Sequence, residues 1–344
     1  MRHWITSFQL LLGLAIIGPN PLAGKRRFAA TEGKARMDQE AGGETQYKIS
    51  RKQIRAVVDR YRVTDGKKFR LKDYDPGDTA GHLMSREQAR ALLEGGTEIL
   101  ATSQEKLYAE NRWSLLCVFQ AMDAAGKDGT IKHVMSGVNP QGVQVTSFKA
   151  PGPEDLDHDF LWRSWRALPE RGRIGIFNRS HYEEVLVVRV HPDILDKQRL
   201  PAALVGKRIW KERLQSIAAM EEYLARQGTV ILKFFLHLSK DEQKKRFLAR
   251  LDEPGKNWKF SASDLAERAH WDEYMAAYEN AIAATATPEA PWFVVPADNK
   301  WFTRLVVVAA INEALSGLDL TIPKVTDEQR AALADARAKL EAER

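Results

Sequence analysis

Short apolar runs alternate with longer amphipathic stretches through the centre of this 344-residue chain. Each run is continuously apolar, which indicates a strand that is buried on both faces. The stretches between the runs have helical spacing and supply the crossovers that parallel strands need. The pattern therefore predicts a three-layer α/β/α fold with a five-stranded parallel sheet. The predicted strands are Leu115–Phe119, Val143–Phe148, Arg173–Phe177, Val230–Leu238 and Trp292–Val295.

Helix signals frame this predicted sheet. Ile49–Tyr61 has helical apolar spacing, and a helix within Ser85–Trp113 opens with the capping box Ser85-Arg86-Glu87-Gln88. The later stretch Val306–Leu315 fits either a core helix or an interface. A further helical stripe is spaced to face the core and consists of Trp271, Tyr274, Tyr278 and Ile282.

The two ends of the chain do not fit this pattern. Ile5–Ile17 resembles the front half of a secretory signal, and Thr31–Thr45 is too poor in large apolar residues to fold. Two interpretations stay open for the start: a signal segment, or an upstream extension of a chain whose translation begins at Met37. We expect an extension and linker over residues 1–45, one folded domain over 46–325 and a peripheral helix over 326–344.

Composition narrows the class of protein. With 44% hydrophobic and 28% charged residues, the chain is typical of a soluble enzyme. The single cysteine, Cys117, excludes an internal disulfide and lies in an apolar run, which predicts a buried thiol and a cytoplasmic location. The signal-like start leaves export open, although its apolar stretch is too short to span a bilayer. The 52 basic and 46 acidic residues permit a polyanionic ligand without requiring one.

A loop suited to phosphate binding follows the first predicted strand. It reads Gln120-Ala-Met-Asp-Ala-Ala-Gly-Lys-Asp-Gly-Thr-Ile-Lys132 and lies between a strand and a helix. Backbone N–H groups of such a loop wrap an oligophosphate, and Lys127 adds a positive charge beside the phosphate being transferred. A glycine-rich turn with an incidental lysine is the alternative. The predicted phosphate-binding residues of the loop are Ala125, Gly126, Asp128, Gly129 and Thr130.

This phosphate loop is a variant of the G-x-x-x-x-G-K-[ST] pattern. Ala121 replaces the first glycine, and Asp128 replaces the hydroxyl residue that would bind magnesium. Asp123, inside the loop, would repel phosphates unless a divalent cation lay between them, which predicts a magnesium ligand. An Asx turn is the alternative role for this carboxylate.

A second polar cluster follows the predicted strand Arg173–Phe177. Asn178 stands where many phosphate-loop enzymes place a metal-linked aspartate, so Glu183 and Glu184 are the predicted source of negative charge for the metal. Arg179 offers a planar fork that can hold two phosphoryl oxygens and stabilise charge during transfer. The alternative for the two glutamates is a favourable interaction with a helix N-terminus.

A basic segment between Lys244 and Lys259 carries six basic residues against two acidic ones. A capped helix from Ser239 is broken at Pro254-Gly255 before a second helix begins, which predicts a hinged lid over residues 239–270 that closes on phosphates. An ordinary solvated face is the alternative. The predicted phosphate contacts of the lid are Lys244, Arg250 and Lys259.

Together these residues resemble a known family, the type-2 polyphosphate kinases, over roughly Tyr61–Leu315. The resemblance implies a P-loop kinase fold and transfer of a phosphoryl group between inorganic polyphosphate and purine nucleoside mono- or diphosphates. It also implies Mg²⁺ as the cofactor, or Mn²⁺ in place of Mg²⁺. It also implies functional roles for Asp123, Lys127 and Arg179. The motifs that carry it are Phe69-Arg-Leu-Lys-Asp-Tyr-Asp-Pro76, Asp123-Ala-Ala-Gly-Lys-Asp-Gly129-Thr-Ile, Gly137-Val-Asn-Pro-Gln-Gly142, Phe177-Asn-Arg-Ser-His-Tyr-Glu183, Trp258-Lys-Phe-Ser and Asp298-Asn-Lys-Trp-Phe302.

Within that family, Asn178 resembles the branch that phosphorylates both AMP and ADP, whereas Glu184 departs from the aspartate expected there. The chemistry that fits is direct in-line transfer without a covalent enzyme intermediate. The expected partners are polyphosphate and purine nucleotides, with no nucleic acid and no stable membrane association, and the expected assembly is a homo-oligomer.

The acceptor nucleotide is expected on the Gly137–Gly142 side of the molecule. Its predicted contacts there are Asn139, Gln141 and Gly142. On the predicted helix Phe160–Leu168, Arg163 and Arg166 are candidate phosphate clamps or, alternatively, surface residues.

Two rival functions remain at this level. A nucleoside monophosphate kinase with ATP as donor shares the fold and the loop, although Asp128 and the basic lid favour polyphosphate. The other rival is a non-catalytic protein that binds polyanions or nucleotides through the basic segment.

Overall fold

Helices cover both faces of a six-stranded sheet in the computed structural model of the chain, which describes residues 51–81 and 85–343. The strand order is β1-β6-β5-β2-β4-β3, with β1 antiparallel to β6 and the other neighbours parallel. The strands are β1 Arg62–Val63, β2 Ser114–Gln120, β3 Val143–Ser147, β4 Ile174–Asn178, β5 Thr229–His237 and β6 Trp292–Pro296.

The helices connect these strands and extend beyond the last one. The α-helices are α1 Arg51–Tyr61, α2 Arg86–Glu110, α3 Lys127–Val134, α4 Pro153–Leu156, α5 Trp162–Arg166, α6 Val187–Val190, α7 Asp193–Asp196, α8 Ile209–Arg226, α9 Lys240–Asp252, α10 Ala262–Ala269, α11 Trp271–Thr285, α12 Lys300–Ser316 and α13 Asp327–Ala342. The 3₁₀ helices are Leu71–Asp73, Pro140–Gly142, His181–Val185, Ala202–Leu204 and Pro254–Lys259.

Alternate residues of the central strand face opposite helical layers. In β2, Leu115 and Cys117 pack in one core with α1, α2, α3 and α12, while Leu116 and Val118 pack in the other with α8 and α11. Burial raises the pKa of the Cys117 thiol, as expected for an inert core residue. The predicted three-layer α/β/α fold is therefore confirmed.

All five predicted strands are present within one residue of their predicted ends, but the predicted number of strands was wrong. The strand that was not predicted is β1, which is only two residues long and follows α1 directly. Its Arg62 pairs with Phe293 and its Val63 with Trp292, at the edge of the sheet. Two residues cannot show a period in the sequence, so this strand is defined only by its partner.

The helix starts follow the predicted capping. Ser85 and Gln88 form the capping box of α2, and the Ser239 hydroxyl accepts from the backbone N–H of Glu242 at the start of α9. Val306–Leu315 lies in α12, which packs on α2 inside the core, so this stretch is not an interface. None of the described helices is both long and apolar enough to cross a membrane.

The remaining predictions concern the ends of the chain. α13 has no buried residues over Asp327–Ala342. The described residues lie within one compact unit, Tyr47–Arg344. The signal-like and polar segments predicted over residues 1–45 lie outside the described residues.

The sheet register determines where chemistry is possible. Phe119 near the end of β2 pairs with Asn178 at the end of β4, and the backbone N–H of Arg179 donates to the Phe119 carbonyl at 3.0 Å. The phosphate loop and the Asn178-Arg179 segment therefore emerge side by side at the carboxyl edge of the sheet, where ligands of such folds bind.

Candidate active site

The phosphate loop reverses its backbone between β2 and α3. Ala124 has φ 64° and Gly126 has φ 97°, both in the left-handed region. Gly126 is the N-cap of α3, and any side chain at its backbone angles would be strained. Successive turns of this kind aim backbone N–H groups at one concave surface, which suits an anion.

Two side chains of α9 fix the shape of this loop. Arg246 Nη1 donates to the carbonyls of Ala124 and Ala125 at 3.0 and 3.1 Å. Gln243 Nε2 donates to the carbonyl of Asp123 at 2.9 Å. Three consecutive loop carbonyls are thus bound from the α9 side, so α9 holds the backbone conformation of the phosphate loop.

The same arginine also binds the loop that follows β6. Arg246 Nη2 donates to the carbonyls of Ala297 and Asp298 at 2.7 and 3.0 Å. Asp298 in turn accepts from the backbone N–H of Ser239, the N-cap of α9. Arg246 belongs to the basic segment recognised in the sequence, but no role was predicted for it. The available signal was the Gln243–Arg246 spacing, which puts both side chains on one helix face.

Two of the three predicted catalytic residues, Asp123 and Arg179, line one pocket beside this loop, and Lys127 lies in the loop itself. Lys127 Nζ donates to the Ala121 carbonyl at 2.8 Å, within the loop itself. Arg179 Nη2 donates to Asp123 Oδ1 at 3.1 Å, and its Nη1 lies 3.9 Å from Glu183 Oε2. Arg179 has φ 60°, a left-handed conformation that is uncommon for arginine and often found at functional sites.

Burial and neighbouring charges shift the pKa values of this cluster. Burial lowers the pKa of Lys127 and the Arg179 guanidinium lowers it further, while the carboxylates of Asp123 and Glu183 oppose both effects. Burial raises the pKa of Glu183, against the opposing effects of Arg179 and Lys127. The cluster therefore holds both charge signs in a partly desolvated pocket, where electrostatic interactions are strong.

The start of α3 is tied to the end of β4 by two side chains. Asn178 Nδ2 donates to Asp128 Oδ1 at 2.6 Å. Asp128 was predicted to bind phosphate, which stays a prediction; in the structure its carboxylate orients Asn178, and the Asp128 side chain is exposed. The other predicted loop residues lie in the loop or the first turn of α3; Ala125 and Thr130 are buried, Gly126 is half-buried and Gly129 is exposed.

The described side chains of the lid segment, residues 239–270, contribute acid rather than base to the pocket. The pocket is lined on that side by Ser263, Asp264 and Glu267 of α10. Arg250 pairs with Asp264 at 3.3 Å, and Lys244 is exposed, so neither lines the pocket. The Lys259 side chain lies outside the described part of the chain.

Two tyrosines of α11 complete the pocket wall. Tyr274 and Tyr278 are buried in the core as predicted, yet both also line the pocket. The Tyr274 hydroxyl donates to Glu267 Oε2 at 2.5 Å, which links the lid to the body. Burial raises the pKa of Asp264, and the nearby Asp123 carboxylate raises it further.

The donor set of the pocket fits a hydrated divalent cation. Asp123 and Glu183 both line it, one from the loop and one from the turn after β4. Over the described residues, no group of three or more acidic, histidine or cysteine side chains is arranged as a metal cage. Mg²⁺ is ordinarily held by one or two carboxylates together with substrate phosphates and water, which matches this pair.

The structure separates Glu184 from this pair. Glu184 is buried and accepts from Gln198 Nε2 at 2.6 Å, while Arg163 and Arg213 each lie 3.4 Å from its carboxylate. It lines a second cavity, not the phosphate-loop pocket. Glu183 and Glu184 lie in the 3₁₀ turn His181–Val185, where each residue rotates by about 120°, so neighbouring side chains point to different sides. The geometry therefore does not support Glu184 as a metal ligand.

The two candidate phosphate clamps also lie away from the loop. Arg163 Nη1 donates to the Lys149 carbonyl at 2.7 Å, and the side chain lines the second cavity. Arg166 is 61% exposed, 3.5 Å from Glu154, and its guanidinium covers the Trp162 ring at 4.7 Å. For Arg166 the structure favours the alternative of a surface residue.

The predicted nucleotide contacts lie at the wrong edge of the sheet. Asn139, Gln141 and Gly142 precede β3, whereas Ser147 at the other end of β3 pairs with Asn178. Asn139 accepts from the backbone N–H of Gln141 at 3.0 Å, which closes a turn. A Cβ on Gly142 would lie 1.9 Å from Gln104 Nε2, so this glycine permits close packing on α2. The motif is therefore accounted for by packing, far from the phosphate loop.

A buried polar network supports the turn that carries Glu183. Lys233, wholly buried in β5, donates to Glu221 Oε2 at 2.5 Å and to the Tyr182 hydroxyl at 3.2 Å. The Tyr182 hydroxyl lies 2.8 Å from Glu221 and 2.9 Å from Thr285. The sequence signal that was missed is a single lysine inside the apolar run Val230–Leu238.

Comparison with known sequences gives a consistent result. The sequence profile described as polyphosphate kinase 2 matches residues 83–321. An ADP-polyphosphate phosphotransferase of Rhodopseudomonas palustris is 53% identical over 281 residues, which are 81% of this chain and 97% of the relative. An AMP/ADP-polyphosphate phosphotransferase of Meiothermus ruber is 46% identical over 265 residues, or 77% of this chain and 95% of the relative.

A solved structure shares the fold. The crystal structure of polyphosphate kinase 2 from Arthrobacter aurescens TC1 aligns with a TM-score of 0.73 and 44% sequence identity, covering 81% of this chain and 96% of that one.

Proposed function

The chain belongs to the polyphosphate kinase 2 family, and from that premise we propose that it transfers a phosphoryl group between inorganic polyphosphate and AMP or ADP. The observation that carries the proposal is the grouping of Lys127, Asp123, Arg179 and Glu183 around the rigid phosphate loop. Because the names of the two relatives specify ADP in one case and AMP or ADP in the other, both acceptors belong to the proposal.

The side chains of the pocket support direct transfer. The phosphate loop would bind the polyphosphate through its backbone N–H groups, with the Lys127 ammonium at the transferred group. Arg179, released from Asp123, would hold two phosphoryl oxygens and stabilise the charge that spreads over them in the transition state. Asp123 and Glu183 would hold a Mg²⁺ ion, or Mn²⁺ in its place, which neutralises phosphate charge when bound. Positioning and charge neutralisation account for catalysis without a covalent intermediate.

The closing of the lid would exclude water from this pocket. Asp264 and Glu267 lie on α10, next to the break at Pro254–Lys259. Excluding water protects the transferred group from hydrolysis and strengthens the interactions of Lys127 and Arg179 with phosphate.

The test is the production of ADP and ATP from AMP, long-chain polyphosphate and Mg²⁺ by the full chain. We expect Lys127→Ala to lower kcat/KM by about a thousandfold, as for loss of one preorganised charged donor. Lys132→Ala is the matched control, because Lys132 is an exposed lysine of the same helix.

Other outcomes identify the rival functions. Product formed only when ATP is the donor would establish a nucleoside monophosphate kinase instead. Phosphate-chain binding without turnover, retained or strengthened in Asp123→Asn, would establish a non-catalytic binding protein, because removal of a carboxylate favours anion binding but not metal-dependent transfer.

A further inference from the structure

The phosphate-loop pocket and the second cavity share one wall. Glu183 lines the pocket and its neighbour Glu184 lines the cavity, so the 3₁₀ turn His181–Val185 stands between them. Both sites lie past the end of β4, at the carboxyl edge of the sheet. A molecule whose phosphate reaches Arg179 and whose other end passes this turn would enter the second cavity.

The walls of the cavity suit a flat aromatic ring. Leu156, Phe160 and Leu200 supply apolar surface. The Arg213 guanidinium lies 5.0 Å from the centre of the Phe160 ring, so an aromatic face and a planar cation stand together. Apolar walls with a few fixed polar groups are typical of sites for heteroaromatic ligands.

Among the polar side chains that line the cavity, Glu184 is a buried carboxylate whose oxygens can still accept hydrogen bonds. The Glu184 side chain is only 4% exposed. It has three hydrogen-bonding neighbours, Gln198, Arg163 and Arg213, and the two guanidinium contacts are long, at 3.4 Å each. A carboxylate offers about four lone-pair sites, and all of them accept. These contacts fix the Glu184 side chain in place, with its oxygens facing a ligand in the cavity as acceptors.

We infer that this cavity binds the base of the acceptor nucleotide and that Glu184 selects adenine over guanine. The inference rests on the proposed function, which supplies a purine nucleotide as acceptor. The exocyclic amine of adenine donates a hydrogen bond, whereas guanine carries a carbonyl oxygen at the equivalent position, which a carboxylate repels. Asn139 and Gln141, at the opposite edge of the sheet, are too remote from the phosphate loop for this role.

The experiment measures kcat and KM for AMP and GMP at saturating polyphosphate, and KM for polyphosphate at saturating AMP. Glu184→Gln keeps the shape of the side chain but adds an N–H₂ donor for the guanine carbonyl. We expect the preference for AMP over GMP, as a ratio of kcat/KM, to fall about tenfold, with KM for polyphosphate unchanged. Glu212→Gln is the matched control, because Glu212 is an exposed glutamate of α8.

A second variant protects the test against misfolding, since Glu184 has buried charged partners. Leu200→Trp fills the cavity at its rim, where Leu200 is 38% exposed, without removing any buried ion pair. It should raise KM for both nucleotides and leave KM for polyphosphate unchanged. An unchanged base preference in Glu184→Gln, or an unchanged nucleotide KM in Leu200→Trp, would overturn the inference.

Failure of the proposed function can be distinguished from failure of the proposed base site. If the native chain transfers no phosphoryl group from polyphosphate, calorimetric titration of AMP and GMP into the native and Leu200→Trp proteins still tests the cavity. Tighter binding of AMP than GMP, weakened in Leu200→Trp, supports the base site. Equal binding in the two proteins overturns it.

Discussion

The two halves of the lid segment differ more than their shared basic composition suggests. In the lid root, residues 239–247, Gln243 and Arg246 are buried and bind the phosphate loop. In the lid tip, residues 253–269, α10 has no buried residues and Trp258 is 78% exposed. The root is therefore part of the rigid body, and any closing motion must pivot beyond it, near Pro254-Gly255.

This difference shows that equal charges in one helix have unequal roles. Lys244 and Arg246 are two residues apart in α9, so they point to different sides of the helix. Lys244 is exposed, whereas Arg246 donates to four backbone carbonyls and to Glu242. A count of basic residues predicts the net charge of the segment, but the helix phase decides which charge supports the phosphate loop.

The strongest test of this difference replaces Arg246 and Lys244 by methionine in two separate variants. Arg246→Met leaves buried carbonyls without a donor, so we expect kcat/KM for polyphosphate to fall about a hundredfold and the unfolding temperature to drop. Lys244→Met should stay near the native values in both measurements. Arg246→Lys should recover part of the activity, since one ammonium cannot replace a planar fork. Equal losses in the two methionine variants would contradict a special role for the root.

Hydrogen exchange compares the two halves without mutation. Amides of α9 in the root should exchange at least about tenfold more slowly than amides of α10, because local opening costs less where few residues are buried. Addition of AMP, polyphosphate and Mg²⁺ should slow exchange in the tip and leave the root unchanged. Slowing confined to the root, measured by mass spectrometry, would place the moving element elsewhere.

Asp264 tests the acidic face of the tip. Asp264→Asn removes one ion-pair partner of Arg250 and one negative charge from the pocket wall. We expect KM for polyphosphate to fall about threefold, because the half-buried Asp264 carboxylate repels the phosphate chain while solvent still screens part of that repulsion. Asp272→Asn, an exposed change on α11, is the control. A rise in KM with a stronger Mg²⁺ requirement would instead show that Asp264 helps to hold the metal.

The smallest expected effect is on the pH dependence of kcat/KM, through Glu183 in the pocket wall. Burial raises the pKa of Glu183, so a reaction that needs its carboxylate should gain activity with rising pH through that raised pKa and lose it below. More Mg²⁺ should shift this acid limb to lower pH, because the cation competes with the proton. Profiles of kcat/KM at low and high Mg²⁺ give the test, and Glu183→Gln should remove the shift. An acid limb independent of Mg²⁺ would point to another group.

Several residues at the carboxyl edge of the sheet could be predicted from their order in the sequence alone. Asp123 and Lys127 lie at this edge because they follow a buried strand within one loop, and Arg179 because it follows the neighbouring strand. The Gly137–Gly142 motif misled in contrast, since a glycine needed for close packing on α2 has the same appearance in sequence as one needed for a ligand. The prediction for Glu184 failed because a difference of one position in a 3₁₀ turn rotates the direction of a side chain by about 120°.

The sequence by itself determined the layers, five of the six strands and the phosphate loop, because hydrophobic period and local turn chemistry act over a few neighbouring residues. Only the tertiary structure decided that Arg246 braces the loop from more than a hundred residues away, that β1 exists, and that Glu183 and Glu184 serve different cavities. These features depend on the phase of a helix or turn against a distant partner. Such long-range pairings are set by how the core packs, and they leave no period in the chain.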